Sequence, residues 1–200
     1  MELPVFALHT VLYPGQSLRL HVFEERYRRM MADVLPDGRF AVVAIRTGRE
    51  VGGPYEPYAV GVAAEPLEHR RFDDGRYELE ATAVGRVRLI DLLSDHPYPR
   101  WSVEPFAEAD EGDPALVAMA AEAARKYLSS MGDQPTDLEL PDDAVAVSYA
   151  LARVAPGLVP DRQAYLEMPG TSERLHQVAR SLAREASLLE ALRRRREGEG

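Results

Sequence analysis

Leu3-Pro4-Val5-Phe6-Ala7-Leu8-His9-Thr10-Val11-Leu12-Tyr13-Pro14-Gly15, followed by Leu18-Arg19-Leu20-His21-Val22-Phe23-Glu24-Glu25-Arg26-Tyr27, is the stretch on which the reading of this chain turns. It reads as two short apolar strands joined through a Pro-Gly turn, because Pro14 presets φ and Gly15 tolerates a positive φ. A helix follows directly. Phe23, Tyr27, Met30 and Val34 recur at helical spacing, Met31 widens the stripe, and Glu24 and Glu25 place negative charge in the first turn, where the helix dipole favours it. Arg26, Arg28, Arg29 and Asp33 fall largely off that stripe and leave a charged outer face.

Outward from the helix, Leu35-Pro36-Asp37-Gly38 is a stop and a turn, and residues 40–45 form a continuous apolar run of the length of a buried strand. A Gly/Pro-rich loop over 47–54 leads to Tyr55 and Tyr58, aromatics that such a segment uses either for binding or to pin itself to a core. Strands are expected over 59–64 and 67–72, with Asp73-Asp74-Gly75 as a hairpin turn. The cleanest alternation follows: Tyr77, Leu79, Ala81 and Ala83 point one way, Glu78, Glu80 and Thr82 the other. Gly85 breaks the run, 86–93 alternates again, and Trp101, Val103 and Pro105 close the set. About seven short strands with one early helix argue for a small barrel or sandwich.

The period then changes. Residues 114–131 are alanine-rich and helical, with Leu116, Met119, Ala120, Ala123, Tyr127 and Met131 on the expected apolar side. A mostly polar connector over 132–141 leads to Asp142 and Asp143, which suit a helix start. A helix is expected over 144–154, a short one from Asp161 to Met168, and a long one capped by Thr171. In the long one Leu175, Ala179, Leu182, Ala186 and Leu189 are spaced four-three-four-three, close to a heptad seam. The division expected is a β-rich subdomain over 1–110 and a helical subdomain over 111–200.

Composition narrows the chemistry. The chain of 200 residues is 46% hydrophobic and can bury a real core, and its lack of cysteine excludes disulfides, thiol catalysis and zinc–thiolate sites. The first residues have neither a basic nor an apolar leader segment, and no run approaches a membrane span, so a soluble, cytoplasmic protein without membrane association is expected. Between residues 104 and 143 eleven acids face two bases, which accounts for the whole net charge of −9 and makes nucleic acid a poor default partner. The single lysine, Lys126, lies in the alanine-rich helix, and no phosphate-binding Gly-x-x-x-x-Gly-Lys loop or Gly-x-Ser-x-Gly elbow is present. His9, His21, His69, His96 and His176 show no ligand spacing, so no metal, cofactor or catalytic residue is expected.

The opening stretch, with its two strands, Pro-Gly and Phe-Glu-x-Arg-Tyr helix start, resembles the amino-terminal, substrate-binding domain family of Lon-type proteases. Ala7, Arg19 and Glu25 stand where proline is common in that family. Further blocks resemble it in order: Phe40 to Ile45 with Gly48 and Glu50-Val51-Gly52, Val60-Gly61-Val62-Ala63, Asp74-Gly75-Arg76-Tyr77, Gly85-x-Val87-Arg88, and Pro97-Tyr98 before Val103-Glu104. The helical half is also similar, so the resemblance covers almost the whole chain. It implies an α+β fold, a PUA-like β pseudobarrel with one early helix followed by an α-helical subdomain ending in a long helix. It also implies a stand-alone form lacking the ATPase and peptidase domains, a non-enzymatic module that recognises unfolded or extended polypeptides in protein quality control.

Expected polypeptide-binding residues are Glu25, Arg26 and Arg29 on the charged face of the first helix, with Tyr55 and Tyr58; the three charged residues equally suit intramolecular salt bridges. Leu188, Leu189 and Leu192 near Arg193-Arg194-Arg195-Arg196 are expected to dock a second copy or a protease partner. The competing reading is an RNA-binding PUA-like module, for which Arg70, Arg71, Arg76, Arg86 and Arg88 would cluster around one hairpin.

Overall fold

The computed structural model describes residues 1–93, 96–132 and 138–198, with side chains up to residue 195. Part of the expected connector, 133–137, and the side chain of Arg196 lie outside the described residues. The chain divides into two compact units, Met1–Ala107 and Glu108–Gly200.

In the first unit the strands are β1 (Glu2–Leu8), β2 (Ser17–Val22), β3 (Phe40–Gly48), β4 (Tyr55–Pro57), β5 (Val60–Arg71), β6 (Tyr77–Leu93) and β7 (Arg100–Pro105), with α1 (Glu25–Val34) between β2 and β3. Five strands close a ring: β1 pairs β7, β7 pairs β6, β6 pairs β5, β5 pairs β3, and β3 returns parallel to β1 through Val5↔Ala41 to Leu8↔Ala44. Closure brings alternate residues of all five strands together, so Leu3, Val5 and Ala7 meet Ala41, Val43, Ile45, Ala63, Val87, Leu89 and Val103 in one buried cluster. The other parity of β1 and β3 is buried as well, which is why their sequences read as unbroken apolar runs. On β1 that parity meets α1 where Phe6 stacks on Tyr27 with ring centroids 4.0 Å apart.

Several sequence expectations shift here. Gly85 and Pro66 mark irregularities, not ends: β5 and β6 each run on through β-bulges, so two pairs of expected strands are two long bent ones. Pro14 and Gly15 do form the turn, with Gly15 at φ +78° and the Gln16 N–H donating to the Tyr13 carbonyl at 3.1 Å. The strands it connects do not pair with each other, since β1 lies in the ring while β2 pairs β6 from Ser17↔Thr82 to Val22↔Tyr77. Residues 11–13 are buried but not extended into a strand. Phe23 precedes α1 and is 49% exposed, leaving Tyr27, Met30, Met31 and Val34 as the buried stripe.

The second unit holds α2 (Pro114–Ser130), α3 (Ala144–Val154), α4 (Val159–Glu167) and α5 (Thr171–Gly198). The face of α2 is rotated from the expected one: Ala120, Ala121 and Ala124 are buried while Met119 and Met131 are exposed. Alanines let α5 approach closely, and dispersion over a tight contact outweighs the larger methionines. Asp143 caps α3 through the Ala146 N–H at 2.8 Å. α4 begins two residues before Asp161, which sits inside it and accepts the Leu158 N–H at 2.9 Å. The seam of α5 is buried from Leu175 through Ala186.

Thr171 does not cap α5. Its hydroxyl donates to Glu108 at 3.0 Å, and the cap comes from Asp110, whose carboxylate accepts the Ser172 N–H at 2.9 Å and hydroxyl at 2.7 Å. These bonds hold the Asp110 carboxyl below its ordinary range, with the Ser172 hydroxyl the largest cause. Fully buried Arg174 binds Glu108 at 2.7 Å, donates to Ser148 at 2.8 Å and lies 3.9 Å from the Tyr149 ring centre. Tyr149 donates its hydroxyl to Glu108 in turn. This polar cluster ties the start of the unit to α3 and α5.

Candidate functional site

The β5–β6 hairpin carries β2 on its outer flank, so Leu18 to Val22 forms one border of a small sheet, pairing only with β6 among the described residues. Alongside that border runs a groove of about 360 Å³. Its floor is apolar: Phe6, Leu8, Leu20 and Tyr27. Phe23 and Val51, 49% and 53% exposed, form an apolar rim.

The far wall is built by a relay from α1. Glu24 accepts the Gly52 N–H at 3.2 Å and pairs with Arg26 at 3.1 Å, while Arg26 donates to the Glu50 carbonyl at 3.0 Å. The loop thus held presents Glu50, whose carboxylate accepts the His9 N–H at 2.6 Å. Among the described residues no arginine or lysine pairs with that carboxylate. A larger hollow of about 540 Å³ lies along β2, β5 and β6 and shares Arg19, Leu20 and His21 with the groove. There Arg19, His21, Glu68, Arg70, Glu78 and Glu80 alternate across strands, and Arg19 pairs with Glu80 at 3.1 Å. Only Leu20 and Leu79 of its lining are apolar, so it is the more polar of the two and offers less to an apolar segment than the first groove.

The residues singled out from sequence separate into two groups. Glu25 and Arg29 pair with each other at 3.0 Å on the surface of α1, with Glu25 also meeting Arg28 at 3.3 Å. Arg26 instead turns inward over the Tyr27 and Tyr55 rings, 4.4 Å and 5.7 Å from their centres. Tyr55 shares a hydrogen bond with Tyr27, and burial pushes both phenols up. Tyr55 packs against the barrel core, and half-buried Tyr58 donates its N–H to the Ala44 carbonyl. Arg26 and Tyr55 therefore position the loop that walls the groove. Leu188 and Leu192 are exposed and Leu189 is half-buried along the distal part of α5.

Of the arginines of the RNA reading, Arg70 and Arg76 lie over the Phe72 ring, 5.0 Å and 5.9 Å from its centre, and Arg71 lies 5.7 Å from the Tyr77 ring centre, so these three gather at the hairpin. Arg86 is buried and both it and Arg88 lie over Phe106, whereas Arg76 pairs with Asp74 at 2.7 Å beside the hairpin turn. Sequence reasoning missed Glu50, Phe23 and Val51 as a set. Their only shared signal is the apolar and acidic flanks of a Gly-rich loop.

A five-stranded closed ring with an accessory edge strand, followed in sequence by a helical unit ending in a long helix, defines an α+β architecture, and no described helix is long and apolar enough to cross a bilayer. Residues 2–184 match the model of the ATP-dependent protease La (LON) substrate-binding domain, and the chain belongs to that family. It is 31% identical over 195 residues to Lon protease 2 of Syntrophobacter fumaroxidans, covering 92% of this chain and 24% of that protein. Lon protease 1 of Thermus thermophilus is 27% identical over 203 residues, covering 95% of this chain and 25% of the relative. The chain thus spans about a quarter of the length of these curated relatives. The crystal structure of a Lon N-terminal domain protein from Xanthomonas campestris superposes with a TM-score of 0.64 at 26% identity, covering 89% of this chain and 96% of that one. The N-terminal domain of Lon protease from the Mycobacterium avium complex shares the fold, with a TM-score of 0.61 at 17% identity, covering 92% and 98%.

Proposed function

We propose that this chain is a non-catalytic recognition module for unfolded or extended polypeptides, serving protein quality control in the cytoplasm. Family membership over residues 2–184 is the observation that carries the reading, because the part of the relatives that matches is the substrate-binding one. The barrel unit, of the PUA-like kind in this reading, supplies the recognition surface. Glu25 and Arg29 lie on its exposed rim, and Arg26, Tyr55 and Tyr58 hold that rim in shape. The helical unit supplies docking through Leu188, Leu189 and Leu192, for a second copy or a separate protease.

The experiment is fluorescence anisotropy of a labelled, permanently unfolded polypeptide, such as a reduced and carboxymethylated secretory protein, titrated with the purified chain. Saturable binding to the unfolded form, none to its native disulfide-bonded form, and recovery of the bound polypeptide uncut are the expected results. Equal binding to both forms, or preferential capture of a single-stranded RNA, overturns it.

A further inference from the structure

We infer that the occupant of the groove beside β2 is an extended polypeptide segment that pairs with the outer border of β2, buries alternate apolar side chains, and places a lysine or arginine against Glu50. The inference rests on the polypeptide-recognition reading and goes beyond it in naming the site, the mode and the substrate class.

Three observations carry it. The first is the edge itself. β2 has β6 on one side only among the described residues, and the groove runs along Leu18 to Phe23 on the other. A strand with one pairing partner presents a row of backbone donors and acceptors, which an incoming extended chain can complete. The second is the chemistry under that edge. Successive side chains of an added strand alternate in direction, so every second one would point to the floor made by Phe6, Leu8, Leu20 and Tyr27. Phe23 and Val51, each about half exposed, would close over it.

The third is charge. Of the two carboxylates on the far wall, Glu24 is already matched by Arg26, whereas Glu50 is fixed by the His9 N–H but has no cation among the described residues. A preoriented carboxylate facing an apolar trough selects a basic side chain next to apolar ones. Arg19, which also lines the groove, is 86% exposed and pairs with Glu80 at 3.1 Å, not with Glu50.

The test uses the whole chain and a synthetic peptide of about ten residues that alternates valine and threonine and carries one lysine. A series of the same peptide with single backbone N-methyl groups follows. N-methylation should weaken binding at every second position and leave the intervening ones unchanged, since only alternate amides face β2. Replacing the peptide lysine by glutamate should weaken binding about five- to tenfold, the size of an exposed pair converted to a like-charge contact. Glu50→Gln, which still accepts the His9 N–H, should abolish that discrimination without changing the melting temperature. Val51→Ser should weaken the lysine peptide by removing the apolar rim contact, without altering its preference for lysine.

Binding without a two-residue period, or undiminished lysine preference in Glu50→Gln, overturns this site. If the unfolded polypeptide of the preceding experiment is still captured in that case, recognition stands and only its placement fails. If neither peptide nor unfolded polypeptide binds, both readings fall.

Discussion

Arg174→Met should cost the helical unit about 3 kcal/mol, and the polar cluster around it explains why the figure is not larger or smaller. The arginine is fully buried and makes a charged bond to Glu108 at 2.7 Å, along with bonds to Ser148, Thr171 and the Met168 carbonyl. Removing one member of a buried ion pair costs about 3–5 kcal/mol, mostly because the survivor is left charged and unmatched. Here the survivor, Glu108, keeps hydrogen bonds from Thr171 and Tyr149 and retains some exposure to water, which places the loss at the lower end.

A domain of this size loses about 4–8 °C in Tm per kcal/mol, so helical melting should fall by roughly 12–24 °C. Far-UV circular dichroism at a helix wavelength is the assay, with the emission of Trp101, the single tryptophan and a β7 residue, as the signal from the barrel. The double variant Arg174→Met with Glu108→Gln should recover at least half of the loss, since it removes the stranded charge. A fall of less than about 3 °C in the single variant, or a double variant whose loss equals the sum of the two singles, would refute the account of the cluster.

Gly15→Val should lower stability by about 1–2 kcal/mol from backbone strain alone, because φ is +78° there and an added Cβ meets nothing within 4 Å; an unchanged urea midpoint contradicts the turn. Asp110→Ala should lower the Tm at neutral pH. The folded carboxyl titrates below its unfolded value, so its contribution is present above about pH 4 and lost as pH falls through the folded value; the gap between variant and wild type should therefore close in acid. Leu188→Asp with Leu192→Asp should leave helicity unchanged and reduce self-association or protease capture in sedimentation; unchanged association removes the docking role of distal α5.

Local signals were legible wherever one residue dictates one conformation. Pro14-Gly15 as a turn, Asp143 as a cap and the α5 seam all follow from short-range sterics or hydrogen bonding. Non-local pairings were not legible. Nothing between residues 5 and 41 states that β1 and β3 lie parallel, yet that pairing closes the ring and exposes β2 as an outer strand. Gly85 reads as a break because glycine weakens a ladder locally, and 59–64 and 67–72 read as separate strands, whereas the barrel bends through bulges beside Gly85 and Pro66 and both strands run on. The α2 face was misread because size was weighted over closeness of approach. Arg26 carried a surface signature from its position on the helix, and only the Gly-rich loop folding over it turns it inward.

The most direct test of the central claim, recognition of extended polypeptide by the barrel unit, is amide hydrogen exchange of the chain with and without a saturating unfolded polypeptide. The account predicts slowed exchange at residues 18–23 and 50–52 on binding. Binding with no change in those segments, or with protection confined to the distal part of α5, would contradict it.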